Sequence, residues 1–230
     1  MKLALVCIAK DEDDYLQEWL DWHFSLGFDE AFIYENDWRS SVCKDSKRVH
    51  FIPFDGPVKQ LEAYQHFMNV FSKDFDWAAF IDVDEFIMPR QDVCLRKWLV
   101  SKDPWPSVGL NWRLFGDSFL SGKPQSTKSV LQRFHFGAKT LNKHVKQVVN
   151  LEWFRMICAP MPRFLTPHCT NIVSVSASKK QHIFSGPFQE QDLGQDHDFE
   201  LWHFVTKTYE ELEKKIARGR ADAPFKRDIA

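Results

Sequence analysis

The chain has 230 residues, which is enough to bury a substantial core and suits one large domain or two small ones. Hydrophobic residues make up 44% of the sequence and charged residues 27%, which argues against a disordered or fibrous protein. The formal net charge of −2 lacks the positive excess that attracts the phosphates of nucleic acid, so no nucleic-acid partner is expected.

The chain opens with a strand-like segment and a helix-like segment. A continuous apolar run over residues 3–8 predicts a buried strand. The helix pattern that follows is expected to start at a cap, Asp11 or Asp13, and to end at Gly27. A second short apolar run over residues 31–34 then predicts another strand. These elements form the start of a β-α-β unit.

Two more strands and one helix are predicted before residue 90. Residues 49–54 are typical of a strand, and Pro57 is well placed for the first turn of a helix that runs to about residue 71. Residues 77–81 predict a fully buried strand that ends in acidic residues. Strands that alternate with helices indicate an α/β fold, with a mostly parallel central sheet and helices on both faces. Ligands of such sheets bind beyond the carboxyl ends of the strands.

The rest of the chain has a weaker pattern. A helix is expected over residues 93–100 and a strand over residues 107–114, followed by a loop-rich region over residues 118–195. Further short elements are expected at residues 145–151 and 171–175 (strands), 202–204 (a strand or turn) and 209–218 (a charged amphipathic helix). No internal repeat or long linker divides the sequence, so residues 1–230 are predicted to form a single domain.

Cysteine usage and hydropathy bear on the compartment. Five cysteines are scattered without a CxxC pair, which argues against a structural zinc cluster and against a full disulfide framework. A reducing compartment fits this pattern. The apolar start of the chain meets charges at Lys10 and Asp11 with no cleavage pattern behind it, so it is interpreted as a strand and not as a signal peptide. No stretch approaches the roughly 20 apolar residues that cross a bilayer, so at most peripheral membrane contact is expected.

The strongest chemical signal is the acidic segment Asp82-Val83-Asp84-Glu85, directly after the buried strand at residues 77–81. Three carboxylates within four residues repel one another, and a divalent cation would neutralise them. Oxygen ligands favour Mg²⁺ or Mn²⁺ over Zn²⁺, and such a cation can bridge the phosphates of a nucleoside diphosphate. A lone Asp-x-Asp is more often a strand cap or a solvated turn. Its position after a strand in a β-α-β pattern favours the metal site.

Four segments resemble the GT-A glycosyltransferases, in the family-2-like branch that is also similar to glycosyltransferase family ninety-two. They are Cys7 to Glu12 with Glu18 and Trp19, Asp76 to Ile87, Asn111 to Gly116, and His203 to Thr208 with Arg218 and Gly219. The resemblance implies a GT-A (Rossmann-like) sheet with a small, loop-rich region on the acceptor side. Residues 1–90 would be the nucleotide-binding half, and residues 91–230 the acceptor-side half with the C-terminal histidine motif.

The resemblance also implies a metal and donor site. Asp82, Asp84 and His203 would hold Mn²⁺ or Mg²⁺, with Glu85 as a less certain third acid, although a histidine between Trp202 and Phe204 is by itself more often a core residue. The residues expected to contact the nucleotide donor are Lys10, Asp11, Glu12, Asn36, Asp37, Asp82 and Lys207. Family-2 enzymes commonly carry Asn-Glu and Asp-Asp-Gly-Ser at the ends of the first two strands, and this chain departs from both. Helix caps and an ordinary turn are the competing interpretations there.

Inverting transfer needs a carboxylate that takes the proton of the acceptor hydroxyl. Asp117, after Phe115-Gly116, is the first candidate, and a turn aspartate is the alternative. Glu190 and Asp192 are further candidates. Arg113 and Lys146 are interpreted as diphosphate or acceptor contacts or as surface charges. The run from Glu210 to Lys215 is interpreted as a solvated helix face.

The sequence therefore predicts a metal-dependent, inverting glycosyltransferase. It would move a sugar from a nucleoside diphosphate sugar, UDP-linked, to a saccharide or lipid-linked saccharide acceptor in polysaccharide biosynthesis. A cytoplasmic enzyme, peripheral at the inner membrane face, suits this function. The alternatives are a metal-dependent phosphotransferase or nucleotidyltransferase, and a non-catalytic carbohydrate-binding protein on the same fold. The particular sugar, the linkage and the oligomeric state do not follow from the residues.

Overall fold

The structure is a computed structural model that describes residues 1–42, 46–90, 92–120, 129–157, 167, 173–176, 181–183 and 198–219. Within these residues, none of the helices is both long enough and apolar enough to cross a bilayer.

One half of the sheet is parallel and contains the first four strands. They are β1 (Leu3–Ala9), β2 (Glu30–Glu35), β3 (Val49–Pro53) and β4 (Trp77–Phe80), in the order β3-β2-β1-β4. Helix α1 (Asp13–Ser25) connects β1 to β2, and α2 (Gln60–Val70) connects β3 to β4. The carboxyl ends of these parallel strands meet at one edge of the sheet, where ligands bind in α/β proteins.

The other half of the sheet is mixed. The order continues from β4 through β7 (Val145–Asn150), β6 (Ser107–Leu114) and β10 (Phe199–His203) to β5 (Glu85–Pro89). β7 is antiparallel to β4 and β6, whereas β10 is parallel to β6 and antiparallel to β5. Two short strands, β8 (Val173–Ser176) and β9 (Gln181–Ile183), branch from β6. The remaining helices are α3 (Leu95–Val100), α4 (Val130–Arg133), α5 (Leu151–Ile157) and α6 (Tyr209–Arg218).

The sheet has a hydrophobic core on each face. Alternate residues of β1 divide between the cores: Leu5 and Cys7 pack with Trp19 of α1, and Val6 packs with Phe67 of α2 on the opposite face. Strand side chains alternate between faces, and a strand buried on both sides is therefore apolar throughout. The predicted α/β fold, with a mostly parallel sheet and helices on both faces, is confirmed.

Helix α1 also anchors the edge strand β5, which the sequence analysis did not predict. The indole N–H of Trp19 donates to the Glu85 carbonyl at 2.8 Å, and that of Trp22 donates to the Ile87 carbonyl at 2.9 Å. His23 is fully buried, and its Nε2 accepts the backbone N–H of Ile87 at 3.2 Å. Burial lowers the pKa of His23 to about 3, so its ring is neutral and can accept this bond.

Two predicted helix starts are wrong. The N-cap residue of α1 is Glu12, because Asp13 already lies in the first turn and its carboxylate accepts hydrogen bonds from Ser40. Helix α2 starts at Gln60 and not at Pro57, since Val58 has a φ of +54°, in the left-handed region, which a right-handed helix cannot include.

The predicted end of α1 is confirmed. Gly27 adopts a φ of +106°, and the N–H of Phe28 donates to the His23 carbonyl at 3.2 Å. This pair of features is the usual glycine stop of a helix. The predicted helix over residues 209–218 is also confirmed, with the same bounds.

Candidate functional site

The acidic segment forms a turn between β4 and β5 at the carboxyl edge of the sheet. The N–H of Glu85 donates to the Asp82 carbonyl at 3.0 Å and closes the turn. The N–H of Phe204 donates to the Asp84 carbonyl at 2.9 Å, which fastens the turn to the end of β10. This bond places His203 beside Asp84, with 3.6 Å between its Nε2 and Oδ2 of Asp84. Two residues more than 100 positions apart in the sequence thus form a buried pair.

The carboxylate of Asp84 is buried and has a second cationic neighbour. The Nζ of Lys215, from α6, contacts the same Oδ2 and also donates to the Val205 carbonyl at 3.2 Å. Burial alone would raise the pKa of Asp84, but the charges of Lys215 and His203 outweigh it and hold that pKa well below its usual value. Burial lowers the pKa of His203, although Asp84 acts in the opposite direction. At neutral pH, Asp84 is therefore ionised.

Asp82 and Glu85 share a different lysine. The Nζ of Lys146, in β7, lies 2.9 Å from Oδ2 of Asp82 and 3.4 Å from Oε2 of Glu85, and its side chain is only 1% exposed. Oε2 of Glu85 also accepts the N–H of Asp82 at 2.8 Å. Burial raises the pKa of Glu85 to about 8, against the lowering effect of Lys146. Lys146 is thus a buried counter-ion, neither a surface charge nor an exposed ligand contact, while the Asp82 side chain remains 37% exposed.

A cavity of about 440 Å³ lies beside this turn, between the β1–α1 loop and α6. Four of its lining residues are cationic, and the remaining ones include three acids and Tyr15. The full lining is Asp11, Asp14, Tyr15, Val205, Thr206, Lys207, Glu211, Lys214, Lys215, Ala217 and Arg218. A cavity with clustered cations can bind an anion such as a phosphate group.

Lys207 is the most buried of these cations. Its residue is 5% exposed, and its Nζ lies 3.8 Å from the centroid of the Tyr15 ring. Burial lowers the pKa of Lys207, because the charged form loses its hydration. The backbone φ of +55° is in the left-handed region, and such strain in a non-glycine residue occurs most often at functional sites. The prediction that Lys207 meets a phosphate is consistent with this position.

Arg218 connects the last turn of α6 to the β1–α1 loop. One guanidinium nitrogen donates to the carbonyls of Lys10 and Asp11, both at 2.9 Å, and the other contacts the carboxylate of Glu12. Lys10 pairs with Asp37 at 3.4 Å. Of the three residues predicted here as donor contacts, only Asp11 lines the cavity. Glu12 faces Arg218, so its carboxylate contributes to holding the loop.

Helix α6 is fixed by a network around Glu211. Thr208 and Glu211 form a capping box at its start, and the Glu211 carboxylate accepts two bonds from Arg133, at 3.0 and 2.8 Å. The hydroxyl of Tyr15 donates to the same carboxylate at 2.6 Å. Burial would raise the pKa of Glu211, but these donors lower it to about 2. The network holds one face of α6, and with it Lys215 and Arg218, against the site.

The residues at the end of β2, where further donor contacts were predicted, make mostly structural contacts. The side-chain amide of Asn36 donates to the carbonyls of Phe54 and Gly56, at 3.1 and 2.8 Å. Oδ1 of Asp37 accepts the N–H of Gly56 at 2.9 Å. These bonds join the loops after β2 and β3, which agrees with the alternative interpretation of this segment as an ordinary turn. The Asp37 side chain is still 44% exposed, so its expected contact with the donor stays a prediction.

Of the three candidate catalytic bases, the structure describes one, Asp117. Asp117 is exposed, and its Oδ1 accepts the N–H of Phe119 at 3.0 Å, which is the geometry of a turn aspartate. Two residues before it, the N–H of Phe115 donates to the His203 carbonyl at 3.0 Å. Its role as a base stays a prediction. Glu190 and Asp192 lie outside the described residues.

Arg113 has a structural role that the sequence did not indicate. Its guanidinium forms two bonds to Glu200, at 2.6 and 2.7 Å, and a further bond to the Ala138 carbonyl. Glu200 also accepts from Arg90 at 3.1 Å. Arg113 is therefore committed to this ion cluster in the described part of the chain, and the interpretation as a diphosphate contact has no structural support.

Two side chains at the acidic turn, Asp84 and His203, are the candidates for holding a divalent cation. Within the described residues, no group of three or more His, Cys, Asp or Glu side chains is arranged to hold a metal. Asp84 and His203 present an oxygen and a nitrogen that are 3.6 Å apart. Mg²⁺ commonly uses one or two carboxylates and fills its other positions with water and substrate phosphates. Asp84 supplies one such carboxylate and His203 a nitrogen ligand, whereas Oδ2 of Asp82 is paired with Lys146.

The comparisons with known proteins show similarity of structure only. No family model matches the sequence, and no curated protein matches it. The bifunctional IspDF from Campylobacter jejuni is similar at 12% identity and a TM-score of 0.44, over 86% of this chain and 55% of that chain. TarS 1–349 from S. aureus is similar at 10% identity and a TM-score of 0.44, over 72% and 52%.

A third solved structure is the galactosyltransferase LgtC in complex with donor and acceptor sugar analogs. It is similar at 12% identity and a TM-score of 0.34, over 66% of this chain and 59% of that chain. The chain spans about half the length of IspDF and of TarS 1–349. At these identities and TM-scores, none of the three likenesses assigns a function to the chain.

Proposed function

We propose that this protein is a glycosyltransferase that moves a sugar from a nucleoside diphosphate sugar, UDP-linked, to a saccharide or lipid-linked saccharide acceptor. One observation carries the proposal: the Asp84–His203 pair and a cavity with four cationic side chains lie together at the carboxyl edge of the sheet. A diphosphate needs this combination of a cation site and positive charge. The sequence resemblance to GT-A enzymes of the family-2-like branch supports the same reading.

The proposal assigns a role to each of these side chains. Asp84 and His203 hold Mg²⁺ or Mn²⁺, which when bound supplies the charge that stabilises a leaving diphosphate. Lys207 contacts a phosphate as a point charge. Asp82 and Asp11 lie where they can contact the donor, and Asp117 takes the proton of the acceptor hydroxyl in an inverting transfer. The chain acts as a single domain in the cytoplasm, peripheral at the inner membrane face, in polysaccharide biosynthesis.

Calorimetric titration of UDP with and without Mn²⁺ tests the donor site. We expect wild-type binding to require the cation, and Asp84→Asn and Asp82→Asn to weaken it by tenfold or more, since a charged ligand interaction is worth about 1.5–3 kcal/mol. Asp74→Asn is the matched control, because Asp74 is exposed and precedes the amino end of β4. Equal UDP binding by all four proteins would refute the proposed site.

The reaction products separate the alternative functions. A cavity with four cations would also suit a nucleoside triphosphate, which is the donor of a nucleotidyltransferase. Incubation with a panel of UDP-sugars and Mn²⁺ should release UDP from one of them, without pyrophosphate. Release of pyrophosphate from a nucleoside triphosphate would favour nucleotidyl transfer instead. A non-catalytic carbohydrate-binding protein predicts no turnover, and saccharide binding that Asp84→Asn leaves unchanged.

A further inference from the structure

We propose that Lys215 is a replaceable counter-ion of Asp84: a divalent cation displaces its ammonium group, which then binds the diphosphate of the donor. This inference rests on the function proposed above and adds a residue to it. The sequence alone placed Lys215 on a solvated helix face, and the resemblance assigns it no role.

The first step is competition for one oxygen atom. The Nζ of Lys215 contacts Oδ2 of Asp84, and that same Oδ2 is the atom 3.6 Å from Nε2 of His203. A cation held by Asp84 and His203 would have to occupy the space beside this oxygen. Two positive charges a few ångströms apart in a buried site repel strongly. Lys215 and the cation therefore exclude each other at Asp84.

The second step concerns the space available to the displaced ammonium. Lys215 lines the cavity together with Lys207, Lys214 and Arg218. A lysine has a flexible four-carbon stem, so its charge can move by several ångströms while its backbone stays in place. The Glu211 network holds α6, so the movement is confined to the side chain. The ammonium would then lie in the cavity where the diphosphate is expected.

Lys146 provides a contrast within the same turn. Its ammonium lies between two acids, Asp82 and Glu85, and its side chain is 1% exposed. Lys215 is 17% exposed and faces the cavity. Lys146 does not line the cavity, whereas Lys215 does and can exchange one anionic partner for another. The two lysines therefore have different roles: a fixed one at Asp82 and an exchangeable one at Asp84.

The first measurement is the affinity for Mn²⁺ alone, from the electron paramagnetic resonance signal of the free ion. Lys215→Met should raise the affinity about tenfold or more, because the competing charge-assisted contact is gone. Lys215→Arg keeps the charge and should stay close to wild type. Lys214→Met is the matched control for the general loss of one positive charge, since Lys214 lines the same cavity from the same helix. It should change the affinity for Mn²⁺ much less.

The second measurement is the affinity for UDP at saturating Mn²⁺. Lys215→Met should weaken it about tenfold, since the diphosphate loses a cationic contact. One substitution thus strengthens metal binding and weakens nucleotide binding, which a purely structural role of Lys215 would not produce. Circular dichroism and thermal melting establish that each variant is folded. If Lys215→Met does not fold, Lys215→Gln replaces it in both measurements.

Three outcomes would overturn this inference. They are an unchanged affinity for Mn²⁺ in Lys215→Met, a rise no larger than that of Lys214→Met, and an unchanged affinity for UDP. Absence of Mn²⁺ binding by every variant would also overturn it. The proposed glycosyl transfer is judged separately, by UDP release from UDP-sugars in the presence of a chelator. Release under those conditions would preserve the transferase and reject the displaced lysine.

Discussion

At the residue level, the carboxyl group of Glu85 is enclosed within the acidic turn and held by a backbone hydrogen bond. It is fully buried, it accepts the N–H of Asp82, and its pKa is raised to about 8 by burial. Near neutral pH it therefore keeps its proton in the folded protein. This state helps to explain how three acids can stand within four residues of each other, because Glu85 then adds no full charge to the cluster.

Glu85 should make the stability of the protein depend on pH. Between about pH 4.5 and pH 8, the folded state holds a proton that the unfolded state has lost, so the free energy of unfolding falls as the pH rises, by about 1.4 kcal/mol per unit at most. Glu85→Gln removes the titration and should flatten this dependence. Urea unfolding at several pH values measures it.

The control for this experiment is Glu62→Gln, because Glu62 is an exposed acid in α2. That variant should keep the wild-type dependence on pH. A Glu85→Gln protein with an unchanged slope would mean that Glu85 is already ionised in the fold at neutral pH.

At the level of elements, helix α6 provides three of the four cations of the cavity, and the contacts of Glu211 fix this helix in place. Glu211→Ala leaves Arg133 buried without its partner and removes the capping box, so we expect a loss of about 3–5 kcal/mol of unfolding free energy. Glu213→Ala, on the exposed side of the same helix, should cost less than about 0.5 kcal/mol. Chemical denaturation compares the two, and equal losses would contradict the role of the network.

The stabilising effect of Glu211 should also depend on pH, in the opposite sense to Glu85. Its pKa is lowered to about 2 in the folded protein, so its contribution is present above its usual value of 4.5 and is lost as the pH falls towards 2. The difference in unfolding free energy between the wild type and Glu211→Ala should therefore become smaller as the pH falls through that range.

The elements differ in how far the sequence predicts them. Helix α6 has a Thr-x-x-Glu capping box at its start, and its predicted bounds are correct. Strand β5 was missed, because Phe86 to Pro89 follows the acidic turn at once and too few residues alternate for a strand pattern to be visible. The predicted helix start at Pro57 was wrong. Val58 has a left-handed backbone in the loop, and a β-branched residue gives no sign of that conformation in the sequence.

At the scale of the whole molecule, the site consists of three segments that are remote in sequence: residues 10–15, 82–85 and 203–218. The acids and His203 could be predicted, because each follows a recognisable pattern along the chain. Their partners could not. Lys146 pairs with Asp82 across 64 residues and Lys215 with Asp84 across 131, and only the tertiary fold brings them together. The spacing of Glu211, Lys215 and Arg218 does put them on one face of α6, which was an available signal.

This assembly predicts a concerted response to ligand. In hydrogen exchange, UDP with Mn²⁺ should protect the amides of all three segments together, since residues of the first and third line the cavity and Asp84 of the second contacts Lys215 and His203. Helix α3 is the internal control, because Arg96 contacts the Gly27 carbonyl at 2.6 Å, beyond the opposite edge of the sheet. Protection of residues 82–85 without any change in residues 203–218 would show that α6 is not part of the ligand site.

The contact between Trp112 and His203 has a practical consequence. Their ring centroids are 4.4 Å apart, in an edge arrangement. If His203 holds Mn²⁺ as proposed, an indole this near the paramagnetic ion should lose fluorescence when the ion arrives. Comparison with Trp112→Phe would isolate this signal from the other tryptophans. Trp112 would then report on the proposed metal site, and the arrival of the ion could be timed separately from that of the nucleotide.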